Sequence, residues 1–228
     1  MSGLVRVPLA HQVYRELRAR IVSGQLRAGS RLLPEGLAES MSISQTPIKE
    51  ALVRLEADGL VEAPSRRGAM VRRFTPADIG ELYEARLLIE QHALRVAMRE
   101  GRVTPAVVAE IRRTLSDHAR EIGRRTLEGL GNALALDREF HAKIVALGGN
   151  GFIADWHTKI MLQTHSVAVY TAEGYTIQPT VREHEAVFAA LAQGDRAGAL
   201  AALERHLSRS RDELMAQTER DGRELAEV

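Results

Sequence analysis

From Thr75 onward the apolar residues recur at helical spacing in segment after segment, and no stretch alternates apolar with polar positions. That period points to helices, because a strand turns successive side chains to opposite faces and would scatter such a stripe over both. The first segment opens at Phe74-Thr75-Pro76, where Thr75 can cap and Pro76 falls at a position whose missing N–H would have had no intrahelical partner. Residues 76–100 then carry Ile79, Leu82, Tyr83, Leu87, Leu94 and Ala97 on one stripe, and residues 104–125 carry Val108, Ile111, Leu115 and Ile122. Segments 129–147, 150–170, 177–193 and 195–217 follow, punctuated by Gly148-Gly149, Ala172-Glu173-Gly174 and Gly194. The pattern predicts an all-α helical bundle of about six helices with a charged tail, 218–228, that frays.

The front of the chain is organised differently. Leu9, Val13, Leu17 and Ile21 mark a helix over 9–23 that Gly24 closes, residues 25–33 read as a turn region, and 34–41 as a second, short helix. The third helix runs from Ser44, a candidate N-cap, to Gly59, with Pro47 in its first turn. Ile48, Ala51, Leu52 and Leu55 make one face apolar, while Gln45, Thr46, Lys49 and Val53 fall on the other. Amide, hydroxyl and ammonium groups at the start of such a helix suit a DNA major groove, where Gln pairs with adenine and Lys reaches guanine or phosphate. Beyond Gly59 two short extended segments, 60–63 and 69–72, flank a turn carrying Arg66 and Arg67, a basic hairpin able to reach a minor groove or flanking phosphates. Helix, short helix, turn, helix and hairpin is the order of a winged helix-turn-helix, so the expected fold is mainly α: a domain over 1–75 followed by an all-α domain over 76–228.

Charge supports that division. Residues 1–75 hold 12 Lys and Arg against 7 Asp and Glu, leaving 19 against 23 in the remainder. A basic head attracts the phosphate backbone whatever the base sequence. The chain of 228 residues has no cysteine, and no apolar run approaches the ~18 residues of a membrane-spanning helix. The opening residues lack the apolar core of a signal peptide, so a reducing cytoplasm is the expected compartment.

Leu37-Ala38-Glu39, the run Ser44–Leu52, Arg54-Leu55-Glu56, Gly59-Leu60-Val61 and Arg66-Arg67-Gly68 resemble the winged helix-turn-helix of the GntR family of bacterial transcription regulators over residues ~9–74. Gln45 and Lys49 stand where that family usually carries arginine, so the resemblance implies DNA binding by Gln45, Thr46, Lys49, Arg66 and Arg67 but not the family's usual base preference.

In the second domain the informative feature is ionisable groups on apolar stripes. Asp137 and His141 share one with Ala133, Leu136, Phe140 and Ile144; His184 lies with Val181, Val187, Phe188 and Leu191; His206 lies with Leu203, Leu207 and Leu214. A buried carboxylate is costly unless paired, and three imidazoles converging on it could share a divalent cation with it. Position alone does not select ligands, since His118 and His165 also lie on apolar stripes and a satisfied core histidine is the commoner case. Asp137-x-x-Phe140-His141, Glu183-His184, Gly194-Asp195 and His206-Leu207 are similar to the ligand-binding FCD domain of the FadR-type GntR branch. That resemblance implies a divalent metal, zinc first with nickel or manganese as alternatives, held by Asp137, His141, His184 and His206. It leaves His11, His92 and His157 as ordinary residues.

Arg86, with Glu90 one turn on, reads from spacing as half of an i, i+4 ion pair. The resemblance implies instead that Arg86 faces the cavity beside the metal and clamps a small carboxylate effector. It also implies a homodimer on a palindromic operator. Two rival readings remain: a metal-dependent hydrolase or isomerase using the Asp/His site, which lacks a nucleophile motif or a general base beyond the ligands, and a DNA-binding scaffold whose helical domain only dimerises.

Overall fold

A computed structural model describes residues 7–65, 68–170 and 178–224. Two compact units make up the chain, one formed by residues 1–74 and 165–170, the other by residues 75–164 and 171–228.

In the first unit, α1 (Leu9–Val22) buries Val13, Tyr14, Leu17 and Ile21 against Ile48, Ala51, Leu52 and Leu55 of α3 (Gln45–Ala57), with α2 (Pro34–Met41) between them in sequence and packed on α3. The turn from α2 to α3 passes through Ser42 in the left-handed region, φ 54°. Ser44 is the N-cap residue of α3, but its side chain makes no capping bond, contrary to the expectation from sequence. Tyr14 Oη donates to Asp58 Oδ2 at 2.5 Å, tying α1 to the end of α3.

Three strands form an antiparallel sheet in the order β1 (Arg31–Leu32), β3 (Gly68–Val71), β2 (Val61–Ser65). The register pairs Leu32 with Ala69 and Val61 with Val71. β1 lies where sequence predicted only a turn region; two residues are too short to carry an alternating pattern, and Leu32 alone is buried. Gly68 has φ +119°, and a Cβ there would lie 2.9 Å from the Leu32 carbonyl oxygen, so the close approach of hairpin to β1 requires glycine.

The second unit comprises α4 (Pro76–Arg99), α5 (Pro105–Gly123), α6 (Leu127–Leu147), α7 (Gly151–Tyr170, its last six residues belonging to the first unit), α8 (Gln178–Ala192) and α9 (Arg196–Glu224). Threonines start three of them. Thr75 Oγ1 accepts from the Asp78 amide while the Asp78 carboxylate accepts from the Thr75 amide; Thr104 and Thr126 cap α5 and α6. The segment after residue 217, expected to fray, instead continues α9 to Glu224. Packing closes a ring: α4 lies on α9, α9 on α8, α8 on α5, α5 on α6, and α6 back on α4. At the end of α6, a Cβ on Gly148 would lie 2.9 Å from Ala93 Cα, so this small residue sets how near α6 comes to α4.

A candidate metal centre and a candidate DNA-reading helix

Each of the five helices in that ring contributes an ionisable side chain to its interior: Arg86 and Glu90 from α4, His118 from α5, Asp137 and His141 from α6, Glu183 and His184 from α8, and His206 from α9. His141, His184 and His206 are buried, 2% exposed or less. Their Nε2 atoms converge, with His206 Nε2 3.2 Å from both His184 Nε2 and His141 Nε2. Asp137 Oδ1 approaches His184 Nε2 at 3.4 Å and His141 Nε2 at 3.9 Å. The three imidazoles can hold a metal ion, and His118, Asp137 and His184 form an overlapping second set.

Carboxylates behind the imidazoles decide which nitrogen carries the proton. His141 Nδ1 donates to Glu90 Oε2 at 2.6 Å, and His206 Nδ1 donates to Glu183 Oε2 at 2.9 Å. With Nδ1 of both rings turned to a carboxylate, the two Nε2 atoms face each other across 3.2 Å. His184 Nε2–H could satisfy one acceptor, His206 or Asp137, but cannot fill the gap between His141 and His206. Burial pushes the His141 pKa below 6.5 despite the pull of Glu90, and burial pushes His184 well below it. A metal ion shared by the facing nitrogens would suit this geometry. Nitrogens bound at about 2.1 Å to one ion stand roughly 3.0–3.4 Å apart, which matches the observed spacing.

Glu90 is the hub behind this cluster. It is fully buried, and its Oε1 accepts from Arg86 Nε at 3.0 Å and from His157 Nε2 at 3.2 Å. Burial opposes its charge, yet His141 and Arg86 outweigh burial and hold its pKa well below the ordinary 4.5. Arg86 itself is 2% exposed, lies over the Tyr83 ring at 4.9 Å, and has an Nη2 with no hydrogen-bond partner. The i, i+4 pair read from spacing is therefore present, with one guanidinium nitrogen left over. Behind His206, Arg209 binds Glu183 and donates to Thr180 Oγ1 at 3.2 Å. Phe140 packs its ring 4.4 Å from that of His184. A groove of about 440 Å³ between α4 and α9, lined by Tyr83, Leu87, Leu207 and Met215 among others, includes none of the clustered histidines.

Sequence reasoning had left His157 among ordinary residues, and the structure places it on Glu90. Its signal was a stripe shared with Met161 and Thr164, both buried. His11 and His92 stand apart from the cluster: Arg54 lies 3.1 Å from His11 Nδ1, and His92 is exposed.

In the first unit Gln45, Thr46 and Lys49 are exposed on the first turns of α3, opposite its buried face. Val53, 63% exposed, continues that outer face. Arg66 and Arg67 lie outside the described residues.

A three-helix head with a hairpin sheet, joined to a helical unit with a cationic-ligand cluster, defines a transcription regulator of the winged helix-turn-helix class. Residues 9–71 match the model of the bacterial regulatory proteins of the gntR family, and residues 81–209 match that of the FCD domain. The chain belongs to the GntR family and carries an FCD domain. A helix-turn-helix-type transcriptional regulator from an unstable DNA locus of Streptomyces ambofaciens is 30% identical over 198 residues, covering 86% of this chain and 80% of that one. The helix-turn-helix-type regulator YdhC of Bacillus subtilis is 27% identical over 183 residues, 79% and 80% of the two chains. Among solved structures, E. coli McbR/YncC superposes with TM-score 0.79 at 22% identity, over 93% of this chain and 99% of that one. The named relatives are transcription regulators, and the chain is a DNA-binding transcription regulator of the same family.

Proposed function

We propose that this regulator is a homodimeric one-component sensor in which residues 76–228 bind a divalent metal and a small organic acid, and residues 1–75 read the operator. The observation that carries the reading is the pair of facing Nε2 atoms of His141 and His206, 3.2 Å apart, buried and oriented by Glu90 and Glu183. Asp137, His141, His184 and His206 would hold the ion, and a donor set of three nitrogens and one carboxylate favours zinc over nickel or manganese. The ion supplies a Lewis-acid seat for a carboxylate oxygen. Arg86 Nη2, buried and unpartnered, supports a clamp on the same effector. No helix among the described residues is long and apolar enough to cross a membrane, in keeping with action on DNA in the cytoplasm.

Gln45, Thr46 and Lys49 would contact base edges and Arg66 and Arg67 the flanking groove, once per half-site of an approximate palindrome. Effector binding alters DNA affinity only if the acid binds the two arrangements of the dimer unequally. The test is fluorescence anisotropy of the zinc-loaded protein on the region upstream of its own gene, titrated with citrate, malonate and lactate. Sequence-specific binding shifted by an acid is expected. Binding that is indifferent to base sequence, or to every acid, counts against the reading.

A further inference from the structure

His118 is 2% exposed, and its Nδ1 has no hydrogen-bond partner among the described residues. A buried polar atom left unbonded is costly, so its place in the core calls for a ligand. The ring centre lies 5.3 Å from that of His184, and donor atoms of His118, Asp137 and His184 come within 4.8 Å of one another. His118 nevertheless falls outside the set formed by His141, His184 and His206. It stands on the flank of the metal centre, beside Asp137, and not among the nitrogens that converge.

Arg86 Nη2 is a second buried donor without a partner, and the Asp137 carboxylate acts electrostatically on both Arg86 and His118. An imidazole Nδ1–H on His118 can donate one hydrogen bond to an anion. Two buried nitrogens without a partner among the described residues thus feel the same Asp137 carboxylate, one of the groups that would hold the ion.

We infer that His118 belongs to the effector site, donating its Nδ1–H to a carboxylate oxygen of a small organic acid bound beside the metal. The inference rests on the metal and organic-acid reading above, and names a contact on α5 that the resemblance did not assign. That donor would favour acids with a second acceptor oxygen, hydroxyl or carboxylate, beyond the one the metal would take.

Isothermal titration of the zinc-loaded protein with citrate, malonate and lactate tests this, alongside zinc content and Tm without acid. His118→Phe fills the ring's volume without a donor, and His118→Asn returns an N–H near the position of Nδ1. Compared at equal zinc loading, His118→Phe should bind acid roughly tenfold to a hundredfold more weakly than wild type, and His118→Asn should recover part of that loss. Unchanged acid affinity in His118→Phe would overturn the inference alone. Loss of zinc from His118→Phe would overturn it too, since His118 would then be a metal ligand. Wild-type protein that takes zinc and binds none of the acids would overturn both this inference and the effector reading.

Discussion

Glu90→Gln is the substitution that probes the centre most sharply, because it preserves shape and removes only a charge and one acceptor. The carboxylate serves three donors: His141 Nδ1 at 2.6 Å, Arg86 Nε at 3.0 Å and His157 Nε2 at 3.2 Å. An amide can keep its oxygen toward Arg86 and His157, but then its NH₂ meets the His141 Nδ1–H, donor against donor. The ring escapes by moving its proton to Nε2, the atom aimed at the cluster, where it blocks a metal. Turning the amide round sets the NH₂ against a buried guanidinium instead. Breaking a buried ion pair from one side costs about 3–5 kcal/mol, a fall in Tm on the order of 10 °C for a unit of this size. Loss of a group that orients a ligand histidine weakens metal binding by roughly tenfold to a hundredfold. Scanning calorimetry of the metal-free protein and zinc competition with a chromophoric chelator measure the two effects separately. A variant with wild-type Tm and wild-type zinc affinity would refute the role given to Glu90.

Two further outcomes follow from the same geometry. Burial lowers the pKa of His141 and His184 below 6.5, so the unfolded chain binds protons that the folded chain refuses. Metal-free protein should therefore lose stability as pH falls below about 6.5, and further as pH falls from 4.5 through the lowered pKa of Glu90, in thermal melts across pH 4–8 with chelator present; a flat profile would contradict the buried, neutral imidazoles. In the head, Lys49→Ala should weaken operator binding and, if Lys49 lies on phosphate, lower the slope of log affinity against log salt by about 0.9, measured by anisotropy; unchanged affinity and slope would remove Lys49 from the interface.

The helices were legible because each carries its own stripe: Ile48, Ala51, Leu52 and Leu55 on α3, or Ala133, Phe140 and Ile144 near Asp137 and His141 on α6, need no knowledge of the partner helix. β1 was not legible, since two residues show no period, and its pairing with β3 is made by contact 37 to 39 positions away. Arg86 and Glu90 could be paired from sequence because an i, i+4 spacing fixes their neighbourhood. The bonds from Glu90 to His141 and His157 span 51 and 67 residues and follow from how α4, α6 and α7 pack. Periodicity likewise could not separate His118 from His165, both on apolar stripes and both buried. That His118 comes beside Asp137 and His184 is a property of the closed ring of helices.

The account stands or falls on whether the buried imidazoles hold an ion. Elemental analysis of protein produced without a metal-affinity tag, compared with its His184→Ala variant, addresses this directly. About one equivalent of divalent metal per chain, zinc foremost, is predicted for the wild type and far less for the variant, with a lower Tm once chelator strips the wild type. No stoichiometric metal in the wild type, together with a Tm that chelator leaves unmoved, would contradict it.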